Sequence, residues 1–160
     1  MSKETLKTAA MDRRQALKSV GLGALALAGS GLASSEAQAT PEKATEYLKK
    51  MTGGAASTEG KVTVKLPEIA ENGRTVPLTI TVDSPMTDSN YVKAVHVVAE
   101  GNPNPEVVSF NMSPAMGKAE VSTRMRLGKT QNVRAAAVMS DGSVYTGVKQ
   151  VKVTIGGCGG

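Results

Sequence analysis

Residues 139–160 read MSDGSVYTGVKQVKVTIGGCGG. Asp141-Gly142 stands between two runs rich in β-branched residues and is a hairpin signal. Beyond it, Val151, Val153 and Ile155 alternate with Gln150, Lys152 and Thr154. One face is apolar and the other polar, the period of a strand half-buried against a sheet, so a last strand is expected over Val144–Ile155. At Gly156 the pattern stops. Gly156, Gly157, Gly159 and Gly160 surround Cys158, the single cysteine of 160 residues. Glycine has no side chain to bury and the most backbone freedom to lose. The segment 156–160 is therefore expected to be a thin, flexible arm, with its thiol up to ~10 Å beyond Ile155.

Six further strand candidates precede this one: Lys61–Leu66, Thr75–Val82, Tyr91–Glu100, Glu106–Met112, Ala119–Leu127 and Asn132–Met139. Turn formers separate them, as in ENG, DSPMTDSN, GNPNP and SPAMG. Pro77 cannot donate to a ladder and predicts an edge strand or a strand start. Seven short strands at this spacing predict an all-β, immunoglobulin-like β-sandwich, with a small barrel as the competing architecture. Ahead of them TPEKATEYLKKMTGG (40–54) reads as a short helix. Thr40 caps it, Pro41 opens it, Tyr47, Leu48 and Met51 form its apolar face, and Gly53-Gly54 ends it.

The first 39 residues have the form of an export signal. A polar, basic start contains Arg13 and Arg14, Gly21–Ala33 is small and apolar, and Ala37-Gln38-Ala39 has the small-x-small form of a cleavage site. The apolar run is too short for a bilayer, which takes ~20 helical residues. DRRQALK resembles a twin-arginine signal, with Ala16 where a Phe is common; an ordinary secretory signal is the alternative. Either route leads out of the cytoplasm, and cleavage after Ala39 leaves one domain over 40–155 plus the arm. The full chain carries a formal charge of +5; removing residues 1–39 takes five of 19 Lys+Arg and three of 14 Asp+Glu, leaving +3. With Tyr47, Tyr91, Tyr145 and Phe110 as its aromatics and no basic run, the chain offers no base-stacking surface, so nucleic acid is not expected as a partner. No membrane insertion is expected after cleavage.

The chemistry then rests on Cys158. A free cysteine near pKa ~8.5 is only a few per cent thiolate at pH 7, and the arm supplies no cation to lower that value. A self-contained cysteine hydrolase would need a base held against its nucleophile. One Cys and one His, His96, do not make a metal site, so neither a metal nor a cofactor is expected. His96 is expected on a strand face with Val92, Ala94 and Val98, satisfied by a hydrogen bond. The six methionines after residue 39 read as core filling. Three residues from Cys158 onward do not make a prenylation box. An intermolecular disulfide, or a thiol without a role, stays open. So does a ubiquitin-like carrier loaded at Gly160, although export from the cytoplasm argues against ATP-dependent loading.

The GGCGG terminus and the twin-arginine-type signal, with NGRTVPLTITVDSPM (72–86), VHVVAEGNPNPEVVSFNMSP (95–114) and AEVSTRMRLGKTQNVRAAAVMSDGSVY (119–145), resemble the SoxY family of sulfur carriers in thiosulfate oxidation. The resemblance implies a carrier, not an enzyme, holding its substrate covalently on Cys158. It implies thiosulfate joined oxidatively to the thiol by a c-type cytochrome complex, giving a Cys–S–sulfonate adduct. A hydrolase then releases sulfate, and a sulfane dehydrogenase, where present, oxidises what remains. It further implies a heterodimer with a SoxZ-like subunit and a periplasmic location. The rival from another class is an exported Ig-like binding module dimerised through its terminal cysteine.

Overall fold

The structure is a computed structural model, and it describes residues 40–156. Helix α1 covers Pro41–Met51. Nine strands follow: β1 Ser57–Glu59, β2 Val62–Lys65, β3 Ile69–Ala70, β4 Val76–Val82, β5 Val92–Ala99, β6 Glu106–Asn111, β7 Glu120–Met125, β8 Gln131–Met139 and β9 Val144–Val153. All seven expected strands form, with ends moved by one or two residues. The additions are β1 and β3, which lie parallel to β9, and a 3-10 turn at Pro114–Met116.

One sheet runs β1-β9-β8-β5-β6, with β3 also on β9; the other runs β2-β4-β7. The inner faces of the two sheets share one core. Leu78, Ile80 and Leu127 meet Val95, Val97, Val133 and Val151, each at most 1% exposed. This is the immunoglobulin-like β-sandwich expected from the alternation. Asp141-Gly142 makes the β8–β9 hairpin, with Gly142 in the left-handed region at φ 84°. Pro77 lies in the central strand of the smaller sheet, not at its edge. It is the second residue of β4, and β2 pairs only from Thr79 onward, so locally it has a neighbour on the β7 side alone. Gly147 of β9 lets the sheets close, because a Cβ there would run into the carbonyl oxygen of Val62.

Part of the outer face of the larger sheet is covered by α1. Thr40 caps the helix by accepting from the Lys43 amide, and Gly53 and Gly54 follow it at φ 65° and 76°. Its buried residues are Ala44 and Leu48, packed on Val98, Ala136 and Val144. Tyr47 is half-buried and Met51 exposed, so Ala44 takes the place expected for Met51. The helix docks on small strand residues, and Leu48 supplies most of the burial, worth ~1.5–3 kcal/mol.

Candidate functional site

The base of the cysteine-bearing tail is held by three loops. The amide of Val153 donates to Thr130 Oγ1 at 2.9 Å, and that of Lys152 to the carbonyl of Glu68 at 2.9 Å. Thr154 donates its amide to Ala70 at 3.1 Å and its hydroxyl to Glu71 at 3.2 Å. The carbonyl of Ile155 accepts from Gly73, whose own carbonyl accepts from Leu127, both at 2.8 Å. Gly73 thus ties the chain end to the β7–β8 connection. Gly156 sits against Gly128, with no room for a Cβ before the Gly128 carbonyl oxygen.

One expectation changes here. The strand ends at Val153, and the Ile155 side chain is 68% exposed, so the buried face does not continue to Ile155. The backbone nonetheless remains bonded to the loop 70–73 as far as Ile155. Gly156, the first residue of the expected arm, is exposed while its backbone runs close against the Gly128 carbonyl.

Two side-chain amides, Gln131 and Asn102, bond the β7–β8 connection to the loop after β5. Gln131, 6% exposed, accepts from the Gly101 amide at 2.6 Å and donates through Nε2 to Asn102 Oδ1 and the Lys129 carbonyl, at 2.9 and 3.0 Å. Asn102 donates to the Arg126 carbonyl at 2.8 Å and accepts from the Gly128 amide at 3.1 Å. Asn102, Gln131, Gly128 and Gly73 were not singled out by the sequence. The turn formers ENG and GNPNP marked the loops of Gly73 and Asn102 but not their convergence on the chain end.

Gly157, Cys158, Gly159 and Gly160 lie outside the described residues, as do Arg13, Arg14 and Ala39. Among the described residues no group of three His, Cys, Asp or Glu side chains could hold a metal ion. Nor is any helix there long and apolar enough to cross a membrane.

His96 is 6% exposed on the outer face of β5 and shares a 2.8 Å hydrogen bond between Nδ1 and Ser109 Oγ of β6. It has the satisfied strand setting expected for it. Val92, however, does not share its face. A register shift between Val92 and Ala94 turns Val92 into the inter-sheet core. Burial lowers the His96 pKa, with the nearby negative charge of Glu106 opposing. Burial also raises the pKa of the Tyr47 phenol, and Glu106 adds to the rise as hydrogen-bond partner and as a charge. Glu100, just past β5, is buried at 8% exposure and holds Arg134 at 3.0 Å and Asn132 at 3.0 Å. This charged residue has its partners in the fold, not in solvent.

Residues 48–158 match the family described as sulfur oxidation protein SoxY. Among solved structures, the sulfur carrier protein SoxY from Chlorobium limicola f thiosulfatophilum is similar at 34% identity and TM-score 0.62, over 72% of this chain and 100% of that one. A superoxide reductase (neelaredoxin) from Ignicoccus hospitalis shares 17% identity at TM-score 0.52, over 59% of this chain and 80% of that one. A putative superoxide reductase from Thermotoga maritima shares 16% identity at TM-score 0.51, over 61% and 92%. The last two likenesses are of fold alone. No curated protein matches the sequence.

Proposed function

The chain belongs to the SoxY family of sulfur oxidation proteins, and from that premise we propose that it holds sulfur intermediates covalently on the Cys158 thiol and presents them to partner enzymes. A carrier role in sulfur oxidation follows from membership. The observation that supports the finer reading is the clamp at the end of β9. Hydrogen bonds from three loops fix the backbone through Ile155, and Gly156 is seated on Gly128. The family match runs on to residue 158, the cysteine itself.

Gly157 alone stands between Gly156 and Cys158, so the backbone of Cys158 lies within ~7 Å of Gly156. A partner's active site must therefore approach the sandwich at this end, against the loops carrying Gly73, Asn102 and Gly128. Four glycines flanking one cysteine leave a strand of backbone thin enough for a narrow cleft.

The loading step joins the outer sulfur of thiosulfate to Cys158 Sγ. The thiol loses its proton, two electrons pass to a c-type cytochrome complex, and Cys–S–S–sulfonate remains. Attack of water on the sulfonate sulfur, in a hydrolase, releases sulfate and two protons and leaves the persulfide on Cys158. A sulfur–sulfur bond of this kind persists between partners and yields to a thiolate or oxidant inside one. A SoxZ-like subunit completes the carrier as a heterodimer. Export by the twin-arginine signal, with cleavage after Ala39, places it in the periplasm.

The test is incubation of the full chain with radiolabelled thiosulfate and the cytochrome-bearing fraction of its host. Label should join the wild-type chain, leave on reduction, and be absent from Cys158→Ser. Label retained by Cys158→Ser would overturn the assignment.

A further inference from the structure

A cleft of about 280 Å³ opens between α1 and the start of β9, remote from the Gly156 end of the same strand. Its floor includes Thr146, which is 8% exposed and whose hydroxyl has no hydrogen-bond partner among the described residues. Among the described residues no buried side-chain nitrogen or oxygen lacks a partner, so this hydroxyl is open to the cleft and available to an acceptor or donor there. At its rim stand Lys49, in the last turn of α1, and Arg134 of β8. Lys49 makes no ion pair among the described residues. Arg134 spends Nε and Nη2 on Glu100 Oε1, both at 3.0 Å, which fixes the plane of its guanidinium. Three of its five N–H donors remain for another acceptor. The walls are apolar, from Leu48, Ala136 and Val144.

We propose that this cleft binds a small organic anion: an oxyanion head, carboxylate or sulfonate, on a short aliphatic body. The head meets Lys49, the free edge of Arg134 and the Thr146 hydroxyl, and the body lies along Leu48 and Val144. Glu100 is already neutralised by Arg134 and Asn132, so Lys49 sets the sign of the site and a cationic ligand is disfavoured. The volume lies at the small end of ligand pockets, which excludes nucleotides and favours a body of a few carbons. This site does not depend on Cys158, and its test is independent of the carrier reading.

The experiment is titration of the isotopically labelled full chain with butyrate, propanesulfonate, sulfate and butylamine, following amide signals by NMR. Butyrate or propanesulfonate should shift the signals of Lys49, Arg134 and Thr146 saturably, and which of the two binds tighter identifies the head. Lys49→Gln should weaken binding about tenfold, the size of one charge-assisted hydrogen bond. Thr146→Val, which keeps the shape, should weaken it several-fold. Unchanged spectra away from the cleft show that both variants fold. Absence of a saturable shift, equal binding by sulfate or butylamine, or full affinity in Lys49→Gln would each overturn the proposal.

Discussion

Gly156 lies against the carbonyl oxygen of Gly128 with no space for a side chain between them. This contact, with the Gly73–Ile155 hydrogen bond beside it, fixes where the anchored domain ends and where the cysteine-bearing tail begins. Gly156→Ala should pry the chain end off the β7–β8 connection. The expected cost is ~1–3 kcal/mol of local opening energy, because the obstructing atom is backbone. Hydrogen exchange at the Gly73 amide should rise about tenfold or more, with little change in the global unfolding temperature. Unchanged exchange at Gly73 would contradict the clamp.

Gly147 differs because it lies inside the paired length of β9, opposite Ala135. Its would-be Cβ collides with the Val62 carbonyl across the two sheets. Gly147→Ala should lower global stability by ~1–3 kcal/mol in urea titrations, by forcing the sheets apart. An effect within ~0.5 kcal/mol, typical of a surface site, would show that the approach is not constrained.

Gln131 serves three groups at once, the Gly101 amide, Asn102 and the Lys129 carbonyl. Gln131→Ala leaves them unsatisfied in a part-buried place, at ~1–3 kcal/mol. The loss should appear both in urea titrations and in faster exchange of the Gly128 amide, which bonds to Asn102. A normal urea midpoint with a protected Gly128 amide would remove Gln131 from the support of the site.

His96 gives the pH dependence. Burial depresses its pKa in the fold below the unfolded value of ~6.5, so the unfolded chain binds the proton more readily. The stabilising effect of keeping the ring neutral is present above pH ~6.5 and is lost as pH falls from there through the folded pKa. The unfolding temperature should therefore drop on going from pH 7.5 to 5.5. His96→Asn, which keeps a partner for Ser109 but does not titrate, should flatten that drop. An identical pH profile in the variant would refute the assignment.

The sandwich was legible because β4 and β9 alternate between core and polar faces, and Asp141-Gly142 marks the turn between β8 and β9. Legibility failed where tertiary structure overrides local pattern. A register shift turns Val92 away from His96, and no periodicity can signal it. β5 and β8 are buried on both faces, so Val97-Val98 and Ala135-Ala136-Ala137 form apolar runs instead of alternating. β1 and β3 carry no pattern of their own and exist by pairing with the free edge of β9. Ile155 continued the alternation on paper, yet no sheet remains there to cover it. Of the site, the chemistry was visible in one cysteine among four glycines. The clamp was not, because Gly73, Asn102, Gly128 and Gln131 meet only in three dimensions. The Lys49–Arg134–Thr146 cleft escaped for the same reason.

The central claim is covalent carriage on Cys158, and intact-protein mass spectrometry on material purified from the native host tests it most directly. Spectra with and without reductant, and of Cys158→Ser, would be compared and any addition mapped to the C-terminal peptide. The account predicts sulfur or thiosulfonate additions on Cys158 that vanish on reduction and are absent from the variant. A bare thiol, or only a disulfide between two copies of the chain, would contradict it and favour a binding module paired through its terminal cysteine.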